Sequence, residues 1–419
     1  MRISTSTFYD SGVGNMQRQT ERLLQVQQQI ASGRRILTPA DDPVGAARAL
    51  EVSQSQSINQ QYSTNSGTAG DSLALEESVL GRISGLLQDV RTVAVNAGNP
   101  VLNRNDRAGL ANDLRGRYQE LLGLANSTDG SGQYLFSGYQ GGIHPFSESA
   151  PGVIAYNGDQ GQRLIQVSAS RQIAVSDAGA DVFQRIPDGN GSFVTTAGAN
   201  AGAAVIDAGT VLDASKWNVA TNSKDLSVKF AVNAGVTTYD IIDNVAGKSL
   251  LTGLAPAAPY PRAYASGSNI DLSQTGPPAF DYGAQVNIAG APADGDSFSI
   301  KASTHQDVFK TIDSLAQLLQ TSPGGATLTN GLVALQRNLD NAMENVLTMR
   351  TSAGARLKEL DSVKSAGEDR ALQYSETLSR LQDLDYAKAA SELIQQQVNL
   401  EAAQKSFAKV AGLSLFNYL

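Results

Sequence analysis

The sequence predicts an α+β multidomain fold in which a long helical bundle, built from both chain ends, carries an inserted β-rich domain. Three observations predict this fold. At 419 residues the chain is too long for one ordinary core. Apolar residues recur at helical spacing through the first third of the chain and again near its end. Between these regions, beyond Asn126, glycine and short alternating stretches indicate strands and turns.

The first helix is predicted over residues 13–36, which are rich in glutamine, arginine, leucine and glutamate. Its apolar positions follow a seven-residue rhythm of long and short steps, which is typical of a helix that pairs with another helix. Those positions are Met16, Leu23, Val26 and Ile30. Glycine and then proline within residues 32–39 end the helical pattern.

A turn-rich segment separates this helix from the next one. Asp41 and Asp42 precede Pro43, and adjacent carboxylates before a proline are far more often a helix cap and its solvated neighbour than a metal site or an acid–base pair. We therefore expect a cap and turn here, followed by a second helix from near Val44 to about Thr64. Further helical periodicity predicts a third helix through residues 73–94 and a fourth over 104–126.

The middle of the chain is predicted to be β-rich. Alternating stretches at 164–167, 227–232 and 297–300 predict strands, and proline-rich stretches mark the loops between them. Helical periodicity returns at Val308, breaks at residues 322–325 and then resumes.

The last helix repeats the character of the first. Tyr386, Leu393, Leu400 and Phe407 fall seven residues apart, and Val410 belongs to the same seam. A terminal helix with an apolar stripe and little nearby chain to cover it must pair with the opposite terminus, pair with another subunit, or remain largely unfolded alone. We therefore expect these residues, together with the four apolar positions of the first helix, to form an assembly interface.

Five regions are predicted from these patterns. They are an amino-terminal assembly helix and turn (1–43), the first part of a helical wall domain with a β-hairpin-like end (44–180), a β-rich outer domain (181–300), the second part of the wall domain (301–370) and a carboxy-terminal assembly helix (371–419).

Composition excludes several classes of function. Hydrophobic residues make up 41% and charged residues 17%, so the chain is not disordered throughout. The net charge is −8 without a run of Lys or Arg, which argues against nucleic acid as a partner. No apolar run approaches the ~20 residues needed to span a bilayer, and the start lacks the apolar core of a secretory signal. The absence of cysteine excludes disulfides and Cys nucleophiles.

No residue pattern indicates catalysis. His144 and His305 are the only histidines, and neither is accompanied by the spacing of a catalytic triad or a metal site. Asp294 and Asp296 are predicted to form a turn, since the residues that follow lack the oxygen ligands of a calcium loop. We expect no catalytic, cofactor-binding or metal-binding residues.

Three segments carry a resemblance to a known family. Residues 30–48, which contain Pro39-Ala40-Asp41-Asp42-Pro43, resemble the stretch that follows the first helix in the flagellin superfamily. The two prolines resemble the hook-filament junction proteins more than filament flagellin. Residues 132–138 resemble the same junction family, and residues 383–390 resemble its carboxy-terminal helix.

The resemblance implies a flagellin-like fold and a non-enzymatic role in joining the hook to the filament. It implies four partners: the first hook-associated protein, flagellin, copies of the chain in a ring, and a flagellar export chaperone. It also implies an extracellular location, reached by type III export without a cleaved signal peptide. A filament flagellin and a secreted coiled-coil adhesin remain as alternatives, with an enzyme third.

Overall fold

The computed structural model describes residues 5–150 and 152–412, with side chains described for residues 7, 9–150 and 152–409. Helices dominate both ends of this range. The helices are α1 (Thr5–Ser32), α2 (Pro43–Ala97), α3 (Arg104–Ala125), α4 (Gly179–Phe183), α5 (Ala214–Trp217), α6 (Val308–Thr321), α7 (Gly325–Gln382) and α8 (Tyr386–Gly412). None of them is long and apolar enough to cross a membrane.

Strands occupy the centre of the described chain. They are β1 (Phe146–Ala150), β2 (Val153–Tyr156), β3 (Leu164–Ser168), β4 (Arg171–Ala174), β5 (Ile186–Pro187), β6 (Phe193–Ala197), β7 (Val205–Ile206), β8 (Thr210–Val211), β9 (Asp225–Asn233), β10 (Val236–Asp243), β11 (Lys248–Ser249), β12 (Arg262–Ala263), β13 (Asn269–Gln274), β14 (Phe280–Ala289), β15 (Ser297–Ala302) and β16 (His305–Gln306).

Two sheets form the outer β-rich region. A six-stranded sheet has the order β11-β10-β9-β15-β6, with β12 also pairing with β10. A four-stranded sheet has the order β13-β14-β7, with β8 also pairing with β14. Their inward faces share one apolar core that includes Phe193, Trp217 and Phe298. The pairs β1-β2, β3-β4 and β5-β16 lie outside these sheets.

The predicted fold class is confirmed, because helices from both chain ends flank a β-rich centre. The predicted interruption between the second and third helices is wrong: α2 runs unbroken through Gly67 and Gly70. Ser66 and Ala69 are buried there, so packing compensates for the two glycines, which cost only ~0.5–1 kcal/mol each in a helix. α1 also begins earlier, at Thr5, than the periodicity predicts.

Chain contacts divide the molecule into two compact units. The first comprises the described residues of Met1–Gly67, Gln166–Arg171 and Asp361–Leu419, and the second comprises Thr68–Ile165 and Gln172–Leu360 without residue 151. The second unit therefore contains the outer β-rich region as well as a helical core formed by parts of α2, α3, α6 and α7.

An aromatic cluster lies in the helical core of the second unit. The ring of Phe309, on α6, is stacked on Phe183 at 5.6 Å between centroids and lies 5.5 Å from Phe146. Tyr118, on α3, meets the same ring edge-on at 6.2 Å. Phe136 contacts Phe183 edge-on at 5.4 Å. Leu135 and Phe136 are buried and lie in turns.

A row of asparagines on α7 binds the backbone of residues 181–206, which lead into the outer region. Asn345 donates to the carbonyls of Asp181 and Val182 at 2.9 and 3.0 Å. The neighbouring rungs are made by three further side chains: Asn341 donates to the carbonyls of Pro187 and Gly189, Asn338 accepts from the N–H of Gly189, and Asn330 accepts from the N–H of Ile206 and donates to the carbonyl of Ala204.

Candidate assembly interface

The two terminal helices pack against each other within the first unit. Phe407, late in α8, lies beside Gly12, early in α1, whereas Leu384, just before α8, binds Gly33, just after α1. The helices are therefore antiparallel. Their facing residues recur at alternating steps of three and four, which is the spacing of a two-helix seam. They are half-buried or buried: Met16, Gln19, Leu23, Val26 and Ile30 on α1, and Ala389, Leu393, Gln396, Leu400, Ala403 and Phe407 on α8.

The closest approach of the two helices depends on a glycine. A Cβ atom at Gly12 would lie 2.7 Å from both Cδ2 and Cε2 of Phe407, closer than carbon atoms normally approach. Tyr9 packs against the same ring with centroids 4.9 Å apart. Any side chain at Gly12 must therefore displace Phe407 or separate the helices.

Short backbone bonds tie the turn after α1 to the turn before α8. The N–H of Arg35 donates to the carbonyl of Gln382 at 2.7 Å, and the N–H of Leu384 donates to the carbonyl of Gly33 at 3.0 Å. Gly33 has a φ of +69°, a conformation that suits glycine. Arg35 also reaches the carbonyl of Leu381 at 2.8 Å with its guanidinium. These bonds fix the register between α1 and α8.

The adjacent aspartates have different structural roles. Asp42 immediately precedes α2 and accepts from the N–H of Gly45 at 2.9 Å, which is the geometry of an N-cap followed by proline. The N–H of Gly45 and then the guanidinium of Arg35, at 3.2 Å, lower the pKa of Asp42 below its ordinary value.

Asp41 closes the preceding turn rather than capping the helix. Its carboxylate accepts from the backbone N–H groups of Thr38 at 2.8 Å and Leu37 at 3.0 Å, and from the side chain of Gln25 at 3.0 Å. The hydrogen bond from the backbone of Thr38 is the main reason why the pKa of Asp41 is lowered. Both aspartates are thus engaged by the protein itself.

The helix pair leaves apolar side chains exposed on its outward faces. Leu24 on α1 is 50% exposed, and Ile394 and Val398 on α8 are 62% and 58% exposed. Of the seam residues, only Val26 and Ala389 are fully buried. Because the seam is only half covered, the helix pair buries little apolar surface, and further apolar partners would add to its stability.

The predicted interface residues fall into three groups. Met16, Leu23, Val26, Ile30, Leu393, Leu400 and Phe407 lie on the facing sides of the two helices. Tyr386 is 57% exposed at the first position of α8, where its hydroxyl lies over Gly33. The side chain of Val410, and residues 413–419, lie outside the described residues.

Sequence reasoning missed the outward-facing Ile394 and Val398, as well as the contact at Gly12. The outward pair was detectable, because the two residues lie four apart and share one side of a helix. Glycine in an otherwise regular helical pattern was the available signal for a close approach.

The described residues contain no group of three acidic or histidine side chains that could hold a metal ion. His144 and His305 are both exposed. What the terminal helices offer is apolar surface at regular spacing, which suits association of helices.

Comparison with known proteins agrees with this architecture. The family described as bacterial flagellin N-terminal helical region matches residues 3–141. Flagellar hook-associated protein 3 of Salmonella typhimurium is 27% identical over 99% of both chains, and its counterpart from Escherichia coli K12 matches to the same extent. The crystal structure of flagellar hook-associated protein 3 from Legionella pneumophila superposes with a TM-score of 0.70, at 28% identity, over 79% of this chain and 98% of that one.

These matches, together with the flanking helices and the β-rich centre, support the assignment of this chain to the flagellin superfamily. Within that superfamily, the similarity along the full length to hook-associated protein 3 supports a hook-filament junction protein rather than a filament flagellin or an adhesin.

Proposed function

We propose that this chain is a non-enzymatic structural subunit that joins the flagellar hook to the flagellin filament, and that α1 and α8 hold it in the assembly. The observation that carries the proposal is the half-covered helix pair, with exposed apolar residues such as Ile394 and Val398, in a chain similar along its length to hook-associated protein 3. Copies of the chain arranged in a ring would cover these residues.

The partners follow from the position of a junction. One end of the ring binds the first hook-associated protein and the other end binds flagellin, while an export chaperone holds the terminal helices before assembly. The chain reaches the flagellum without cleavage of a signal peptide. An intact mass of about 43.9 kDa for the protein recovered from purified flagella would support export without cleavage, whereas a shorter chain beginning after Met1 by some twenty residues would contradict it.

Gene deletion tests the role directly. Cells that lack the chain should carry hooks without filaments and should release flagellin into the medium. Filaments of normal length on the deletion strain would contradict the junction role. Loss of flagellin polymer with an intact junction would instead indicate a filament subunit.

Substitutions in the deletion strain test which surface holds the assembly. Leu393→Asp places a carboxylate in the α1–α8 seam, whereas Ile394→Asp places one on the outward face. Leu254→Asp is the matched control, since Leu254 is 69% exposed in the outer β-rich region. We expect the control to restore filaments and both α8 variants to fail.

Amide hydrogen exchange distinguishes the reasons why the two α8 variants would fail to restore filaments. Leu393→Asp should reduce protection in α1 and α8, while Ile394→Asp should leave it unchanged. Normal filaments with both α8 variants would mean that the terminal helices do not hold the subunit in place, and the proposal would be abandoned.

A further inference from the structure

Four charged residues of the second unit lie close in the sequence to the points where the chain passes to and from the first unit. Glu76 lies on α2, Arg163 precedes β3, Asp177 lies between β4 and α4, and Arg356 lies on α7. Each is within about eight residues of one of the four chain positions that separate the units, at 67/68, 165/166, 171/172 and 360/361. The cluster therefore draws one residue from each of four chain segments of the second unit.

Direct contacts hold the cluster together. The Oε1 atom of Glu76 accepts from the N–H of Asp177 at 2.9 Å. The Oδ1 atom of Asp177 accepts from Arg356 at 2.8 Å and from Gln162 at 2.7 Å. The backbone N–H of Arg163 donates to Ser176, the residue before Asp177, at 3.1 Å, whereas its guanidinium donates to the side chain of Gln133. Glu76 thus binds the backbone N–H of Asp177, and Arg356 of α7 binds the side chain of Asp177.

The two carboxylates are deeply buried, and the cluster is incompletely paired. Glu76 is 0% exposed and Asp177 is 2% exposed. Four of its polar atoms have no hydrogen-bond partner among the described residues: Oε2 of Glu76, Oδ2 of Asp177, Nε of Arg163 and Nη1 of Arg356. A second carboxylate charge in such a place is costly, because its free oxygen is buried and has no hydrogen-bond donor among the described residues.

The charges that face Glu76 shift its pKa in opposite directions. Burial, and then the negative charge of Asp177, raise the pKa of Glu76 to about 8, against the opposing charges of Arg356 and Arg163. On the same helix, the next residue, Glu77, is bound by Arg350 of α7 at 2.5 and 3.0 Å. Glu77 therefore has an arginine partner, whereas the Oε2 atom of Glu76 has no hydrogen-bond partner among the described residues.

We propose that Glu76, Arg163, Asp177 and Arg356 form a proton-dependent clamp, which holds residues 161–165 and 172–178 against the parts of α2 and α7 in the same unit while Glu76 is protonated and loosens when that proton is lost. Loosening brings the second carboxylate charge into contact with solvent. The rigidity of this part of the second unit then follows the pH of the surrounding medium.

The direction of the pH dependence follows from the two states of Glu76. In the closed clamp its pKa is raised to about 8, whereas in an opened segment it returns towards the ordinary value of 4.5. The stabilising contribution of the proton is complete below the lower value and is lost as the pH rises to the upper one. Opening should therefore increase by up to about tenfold per pH unit and level off above about 8.

Amide exchange of the full chain between pH 5.5 and 9 tests the clamp, after correction for the intrinsic exchange rate. We expect the protection of peptides from residues 161–165 and 172–178 to fall with pH and to level off near pH 8. Glu76→Gln, which keeps the acceptor but cannot ionise, should give pH-independent protection. Glu77→Gln, the same change one residue along α2, should keep the wild-type dependence because that carboxylate is paired and partly exposed.

Three outcomes would overturn the clamp. One is a wild-type profile that is flat between pH 5.5 and 8, which needs no variant to observe. Another is a Glu76→Gln profile that retains the wild-type slope. The third is an equal loss of protection in peptides from β9 and β10, since the effect would then be global unfolding rather than opening of this segment.

Discussion

The substitution Gly12→Ala tests the close approach between the terminal helices α1 and α8. Inside a helix, replacing glycine by alanine normally stabilises by ~0.5–1 kcal/mol. Here the new Cβ atom would lie 2.7 Å from two ring carbons of Phe407 and would have to move them by ~0.7 Å or more to reach ordinary contact. Overpacking of this kind costs ~1–3 kcal/mol, so the expected net effect is a loss of up to ~2 kcal/mol in the α1–α8 pair.

The sign of the effect should reverse when the ring is removed. In a Phe407→Ala background the clash is absent, and Gly12→Ala should then stabilise the pair by ~0.5–1 kcal/mol. Millisecond amide exchange of peptides from residues 9–30 and 386–409, compared across the four members of this double-mutant cycle, measures both values. Increased protection from Gly12→Ala in the presence of Phe407 would refute the contact.

Two further predictions concern the second unit. Phe309→Ala should lower the free energy of unfolding of this unit by ~3–5 kcal/mol, because the ring is completely buried among Phe146, Phe183 and Tyr118. Thermal unfolding followed by circular dichroism measures the loss. A loss below about 1 kcal/mol would mean that the cluster repacks. Asn345→Ala should cost ~1–3 kcal/mol in urea unfolding because two backbone carbonyls lose their donor, whereas Thr348→Ala, at an exposed site on the same helix, should be nearly neutral.

Local periodicity predicted the helical frame well. The seven-residue spacing of Leu393, Leu400 and Phe407 identified the side of α8 that faces α1. Residues at this spacing fall on the same side of a helix, so the local sequence alone shows which residues share that side. Tyr386 belongs to the same series but is 57% exposed, since the chain has only just entered the helix there and the turn at Gly33 lies below its hydroxyl. The end of a periodic pattern is where neighbouring turns override it.

Features that join distant segments could not be predicted in this way. Glu76 meets Asp177 across 101 residues, and Asn345 meets Asp181 across 164. In each case the sequence shows an ordinary polar residue on a helix, and only the folded chain supplies its partner. The unbroken α2 has the same cause: burial of Ala69 outweighs the local effect of Gly67 and Gly70.

The asparagine row on α7 has a consequence for how the outer region can diverge. Its side-chain amides bind carbonyl and N–H groups of residues 181–206, and these groups are the same whatever amino acid carries them. The attachment therefore depends little on side-chain identity, except at Gly189, where a φ of +57° and the nearby backbone of Phe193 require glycine. The same asparagines could hydrogen-bond a different outer domain inserted between the same helices, provided that its backbone followed the same path along α7.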